Sequence, residues 1–276
     1  MINATGNRMT LEIARQSRLA KAIEQSQIAI STNRRIQRPS DDPTASARIA
    51  TIRRAQSDGE VWKRNIDLGA SLTAQADGVL QKLNDRLARA QELTVQGASG
   101  QVPQSGRDTI AAEIRAIAEE IDSLALVQSS LGQPLFSTGQ PRVLRFGGGA
   151  EFAPVPSSAE VFQYGGVSLS AQLENMASAI EGGSRTALDA ALATADGLVI
   201  QGAEAASNIG NIGARLDRLA DSQASRSVDL RAERSGLEDT DLMTAIATLN
   251  AQQLTLEAAQ SAFARINRRS LIDLLS

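Results

Sequence analysis

The stretch DLMTAIATLNAQQLTLEAAQSAFARINRRSLIDLLS, residues 241–276, decides how the chain is read. Leu242, Leu249, Leu256 and Phe263 recur at intervals of seven, with Ile246, Ile266 and Leu274 filling the flank. Apolar residues at that interval form a seam along one side of a helix. Gln253, Gln260 and Asn267 sit beside the seam, which makes it adhesive but selective. Asp239, Thr240 and Asp241 precede it, acidic and cap-forming residues suited to the positive end of a helix. The stretch contains neither Gly nor Pro, and Arg265, Arg268 and Arg269 lie towards its far end. At ~1.5 Å per residue such a helix is roughly 50 Å long. A helix of that length with one apolar stripe needs a partner.

The opposite end of the sequence offers one. From Met9 to Ile30 the residues Met9, Ile13, Leu19, Ala20, Ile23 and Ile30 fall at helical intervals, punctuated by Gln16 and Gln27. The two terminal helices are expected to pack on each other, or on copies of themselves in neighbouring subunits. Ile13, Ile23 and Ile30 would supply the face opposite Leu242, Ile246, Leu249, Leu256, Phe263, Ile266 and Leu274.

Between these ends the chain is mainly helical. Arg38-Pro39-Ser40-Asp41-Asp42-Pro43 breaks the first helix, because each proline pushes its preceding residue out of helical geometry. Asp42 is then an N-cap with Pro43 at the first helical position. Two aspartates invite an acid/base reading, but before a new helix they are better read as a rigid corner. Arg34, Arg35 and Arg38 beside them read as a solvated turn. Thr44 to about Gly97 keeps a helical rhythm through Ile52, Trp62, Leu72, Leu80, Leu87 and Leu93, and Asp108 to Leu126 resumes it. The turn from Gly97 to Pro103 makes these an antiparallel hairpin. Gly182-Gly183-Ser184 separates a short helix, Val167 to Ile180, from a long one running from Arg185 to about Arg234. In the long one Gly210 and Gly213 suit close helix packing.

Residues 133–166 differ in texture. Pro134, Pro141, Pro154 and Pro156 exclude a long helix, and Leu135-Phe136 followed by Arg142 to Phe146 reads as strand, turn, strand. Gly147-Gly148-Gly149 closes the hairpin as a bend, and Glu151 to Tyr164 adds an extended piece. Three domains are therefore expected: residues 1–43 with 237–276, residues 44–132 with 167–236, and the β-rich insert 133–166. The fold class is mainly α, an elongated nested helical hairpin and coiled-coil rod with a small β-hairpin insert.

Several function classes drop out. The chain has neither cysteine nor histidine, so thiol chemistry, the usual general base and the commonest metal ligand are missing. A net charge of −3 provides no basic surface for nucleic acid. No apolar run approaches the ~20 residues of a membrane span, and Met1 to Ala20 lacks the apolar block of a secretory signal. The chain is read as non-enzymatic, with no catalytic residues, cofactor or metal. A cytoplasmic coiled-coil adaptor would fit the heptads but requires neither the corner nor the insert.

Arg35-Ile36-Gln37-Arg38-Pro39-Ser40-Asp41-Asp42-Pro43, followed by an Ala/Ile-rich helix, resembles the corner of the bacterial flagellin superfamily. Gln91-Glu92-Leu93-Thr94-Val95-Gln96-Gly97-Ala98 is similar to that family's segment after its long N-terminal helix. Leu237-Glu238-Asp239-Thr240-Asp241 and the helix to Leu275 resemble its C-terminal end. The Pro-Ser-Asp-Asp-Pro corner and the ending Ser270-Leu271-Ile272-Asp273-Leu274-Leu275 look more like the hook–filament junction branch (hook-associated protein 3 type) than like filament flagellins. The resemblance implies a structural subunit whose terminal helices form the inner layer of a tube in the extracellular flagellum. It implies export through the flagellar channel without a cleaved signal. The implied partners are a neighbouring hook-associated protein, flagellin, further copies in a ring or lattice, and an export chaperone at the C-terminal helix. Flagellins recognised by the animal innate receptor carry Arg where this chain has Gln91, so the resemblance does not extend to receptor recognition.

Overall fold

Helical periodicity dominates the sequence, and helices dominate the computed structural model, which describes the backbone of residues 2–275 and the side chains of residues 9–265. Ile266 and Leu274 lie outside the described side chains. In chain order the elements are α1 (Ile2–Thr32), α2 (Pro43–Ala98), α3 (Gln104–Ala125), β1 (Leu144–Gly147), β2 (Ala150–Phe152), α4 (Ser158–Phe162), β3 (Gln163–Tyr164), β4 (Val167–Ser168), α5 (Leu169–Gly182), α6 (Arg185–Glu238) and α7 (Leu242–Leu275). The class is mainly α with a small β insert. Two compact units result, Asp58–Arg226 and the pair of segments Met1–Ser57 and Ser227–Ser276.

The middle unit, Asp58–Arg226, has an aliphatic core. Leu80, Leu83, Leu87 and Leu93 of α2 meet Ile114 and Ile121 of α3, Leu169, Leu173 and Ile180 of α5, and Leu198 and Ile209 of α6. Ion pairs on the rim fix the antiparallel register of α2 and α3, with Arg86 to Glu120 at 2.6 Å and Arg89 to Glu113 at 2.8 Å. Arg115 of α3 grips α5 through a two-pronged pair, its Nη1 and Nη2 donating to Glu181 at 2.5 and 2.9 Å. That bond holds the Glu181 carboxyl below its ordinary value. α5 stops at Gly183, whose φ of 64° lets its N–H return to the Ala179 carbonyl at 3.1 Å.

Close approach to α6 occurs at different glycines from those expected. Gly210 has no atom within 4 Å of where a Cβ would stand, and Gly213 only a Thr73 methyl at 3.8 Å. Gly197 instead receives the Tyr164 ring, and at Gly202 a Cβ would stand 3.0 Å from Leu87 Cδ1.

The insert is a hairpin, but a later one than expected. β1 pairs antiparallel with β2, placing the turn at Gly148-Gly149, while Leu135 and Phe136 belong to no strand. Those two residues are buried by packing, Phe136 meeting Phe162 edge-on at 5.2 Å, so their apolar character serves the core rather than a ladder. The region expected to be extended after Glu151 contains the short helix α4, started by a capping box between Ser157 and Glu160. β3 and β4 form a second small hairpin around Gly165-Gly166.

Gly147 carries the first hairpin. Its φ is 86°, and an added Cβ would stand 2.6 Å from Cε3 of Trp62, the single tryptophan. Left-handed geometry and a closed space act together there. Gly147→Ala is expected to destabilise the middle unit by about 1–3 kcal/mol. Intrinsic fluorescence during denaturant unfolding checks this, through a lower midpoint and a red-shifted native Trp62 emission.

Candidate functional site

The terminal unit holds the residues that the sequence marks for assembly. Heptad spacing places half-buried positions on α1 at Glu12, Gln16, Leu19, Ile23, Ser26 and Ile30, alternating by four and three. On α7 the matching positions are Ala245, Leu249, Gln252, Leu256, Ala259 and Phe263. The two helices pack on each other, and Ser26 Oγ donates to Gln252 Oε1 at 3.1 Å. Leu249, Leu256 and Phe263 lie in this seam together with Ile23 and Ile30. Ile13, Leu242 and Ile246 do not, being 54%, 41% and 44% exposed.

On α7 the polar seam residue is Gln252, while Gln253 and Gln260 face water. Gln16 Nε2 is buried with no hydrogen-bond partner among the described residues. Polar groups in such a seam lower its stability but restrict its register.

The corner is built from hydrogen bonds that occupy both aspartates. α1 closes at Asn33, whose φ of 53° is left-handed. Asp41 Oδ2 accepts the backbone N–H of Gln37 at 3.0 Å and of Arg38 at 2.7 Å. Asp42 Oδ1 caps α2 by accepting the Ala45 N–H at 3.0 Å. Pro39 and Ser40 form the exposed turn between them, and Pro43 opens α2. This is a structural corner and offers no free carboxylate pair. Among the described residues no group of three His, Cys, Asp or Glu could hold a metal ion, and no helix is long and apolar enough to cross a membrane.

The arginines near the corner are more engaged than a solvated turn implies. Arg34 pairs with Glu238 at 3.2 Å, and Arg35 donates from its backbone N–H to the Glu238 carbonyl at 2.8 Å and from Nη2 to the Leu237 carbonyl at 3.0 Å. Arg48 of α2 holds Glu233 of α6 through two bonds of 2.6 and 2.9 Å, which keeps the Glu233 carboxyl below its ordinary value. Sequence reasoning missed the role of Glu238 because Arg34 and Arg35 lie about 200 positions away in the chain.

The segment near the end of α2 divides between core and surface. Leu93 and Thr94 are buried, and Thr94 donates to the Ala90 carbonyl at 2.7 Å. Gln91 donates to Asp196 of α6 at 2.7 Å, and Glu92 pairs with Arg89 at 2.7 Å. Val95 and Gln96 are exposed. Gly97 lies against Ile180, with 2.8 Å available to a Cβ.

Residues 5–140 match the family model for the bacterial flagellin N-terminal helical region, and residues 192–275 match that for the bacterial flagellin C-terminal helical region. The chain belongs to the bacterial flagellin family. As a flagellin-like structural protein of the flagellum it is not an enzyme. It is 23% identical over 251 residues to a flagellar filament 30.7 kDa core protein of Treponema maltophilum, covering 87% of each chain. It is 37% identical over 111 residues to a flagellin of Salmonella muenchen, a match that covers 40% of this chain and only 21% of that flagellin. The fold is that of a flagellar hook-associated protein from Vibrio parahaemolyticus, with TM-score 0.64 at 19% identity over 72% of this chain and all of that one.

Asp241 starts the C-terminal flagellin helix. Its carboxylate accepts the Thr244 hydroxyl at 2.8 Å and the Thr244 and Met243 N–H groups at 3.2 and 3.1 Å, holding its pKa below the ordinary value. A depressed folded-state pKa contributes stability that is present above the unfolded value and lost as pH falls through the folded one. Amide protection at Met243 and Thr244 is therefore expected to fall as pH drops below about 4. Hydrogen exchange monitored by NMR checks this, and Asp241→Asn should abolish that dependence.

Proposed function

We propose that this chain is a junction subunit of the bacterial flagellum, joining a hook-associated ring to the filament through its terminal helices. The observation that carries an assembly role is the apolar surface left on α1 and α7. Leu11, Ile13 and Ile28 on one, and Leu242, Met243, Ile246 and Leu254 on the other, are exposed although the two helices already pack together. Apolar surface of that kind on both helices is suited to burial against further chains. Residues 1–43 with 237–276 act as the assembly domain, residues 44–132 with 167–236 as the helical body, and residues 133–166 as a small β-rich insert. The partners are a neighbouring hook-associated protein, flagellin and further copies of this chain, with an export chaperone on the C-terminal helix. The subunit works outside the cell after passage through the flagellar channel.

The short insert and the Pro-Ser-Asp-Asp-Pro corner favour the junction role, as does the likeness in fold to the hook-associated protein of Vibrio parahaemolyticus. A filament-forming flagellin is the second reading, supported by the alignment over 87% of the Treponema maltophilum filament core protein. Negative-stain electron microscopy of the full-length protein, concentrated in a precipitant salt, separates them. Folded monomers are expected from a junction subunit. Long uniform tubes would mean that the chain propagates its own lattice, and would replace the junction reading by the filament one.

Leu256→Asp tests the seam, because it puts a charge into a half-buried position between α1 and α7. Incorporation into flagella is expected to be lost while circular dichroism retains most of the helix signal. Normal incorporation would remove the seam from the interface.

A further inference from the structure

Glu238 closes α6, and it is a charged side chain only 7% exposed in a unit whose other acids are mostly solvated. Its carboxylate gathers three arginines from three places in the chain. Arg53 of α2 bonds Oε1 at 2.8 Å, Arg34 after α1 reaches the same oxygen at 3.2 Å, and Arg234 of α6 approaches Oε2 at 3.6 Å. Arg234 also donates to Gln56 of α2 at 2.9 Å, so the cluster spans α2 and α6 as well as the crossing from α1. The backbone repeats the connection. Arg34 and Asp239 form an isolated antiparallel bridge, and the Arg35 N–H donates to the Glu238 carbonyl at 2.8 Å. The Thr240 N–H donates to the Asn33 carbonyl at 3.3 Å.

Residues 33–42 and 239–241 are the two connections by which α1 and α7 join the rest of the chain, and Glu238 lies where both pass. We propose that Glu238 and its three arginines form an ionic latch that ties the crossings leading to α1 and α7 to α2 and α6 within the terminal unit. The latch is a conformational device, distinct from the seam between α1 and α7. The arginines are about half-exposed, so water and salt reach them and compete for the carboxylate. A buried carboxylate served by several donors also penalises any arrangement that leaves it unpaired, which restricts the pose as much as it stabilises it. Opening the latch frees both crossings at once, so α1 and α7 leave together and remain paired through their own seam.

Hydrogen exchange with mass spectrometry on the full-length chain tests this, comparing wild type with Glu238→Gln and with Arg53→Gln. In Glu238→Gln, exchange at residues 33–38 and 237–245 is expected to be about tenfold faster, the loss of a set of charge-assisted bonds. α3 and α5 should be unchanged. Wild-type exchange at the same residues should accelerate between 0.1 and 1 M salt, where screening shortens from about 10 Å to about 3 Å, and that of Glu238→Gln should not. Arg53→Gln should give a smaller change with the same pattern. Wild-type-like exchange in Glu238→Gln overturns the latch, as does acceleration spread equally through α3 and α5, or a wild-type rate indifferent to salt.

Discussion

Everything in the middle unit depends on mainly aliphatic side chains meeting across helices, with few large rings to fill the space. Leu80, Leu83, Leu87 and Leu93 on a single helix are almost completely out of water, and α3, α5 and α6 each turn a face of Leu, Ile or Ala towards them. Slender side chains require short distances between helix backbones. That requirement explains why α6 carries Gly202 where it meets Leu87 of α2. It also explains where the few aromatic residues gather, beside the insert where packing is irregular. Phe146 and Phe152 meet at 4.4 Å with Arg215 stacked 3.9 Å over the latter.

The terminal unit obeys the same helical rules with weaker means. Its seam mixes Leu, Ile and Phe with Glu12, Gln16, Ser26 and Gln252, so it buries less apolar surface than the middle core. Ion pairs supplement it, linking Arg48 with Glu233 and three arginines with Glu238. Selectivity in such an arrangement comes from the polar members, because misaligned helices would bury them against nothing.

Much of this was legible in the residues and some was not, for identifiable reasons. Helix existence followed from periodicity, and the two starts at Pro43 and Leu242 followed from Asp42 and Asp241, whose capping acts within three residues. Signals that depend on distant neighbours were misread. Leu135-Phe136 and the segment from Leu144 look equally strand-like, yet only the latter finds a ladder partner. Gly210 and Gly197 are indistinguishable in sequence, and only the chain opposite decides which one is crowded. The heptad residues Leu249, Leu256 and Phe263 lie half-buried against α1, whereas Gln252, which falls outside the strict sevens, enters the seam unannounced. The arginines after α1 looked solvated because nothing nearby in the sequence announces Glu238.

The bridge between Arg34 and Asp239 has a consequence for the order in which the chain acquires its shape. It closes a loop of about 200 residues, and such closure becomes affordable in entropy only after the intervening chain has shortened it by folding. A polypeptide made from its N-terminal end presents α1 first, when its counterpart α7 does not yet exist. α1 must therefore wait until α7 has been made for the neighbour that covers its stripe, so a helix made before all the others described here is among the last to find its place.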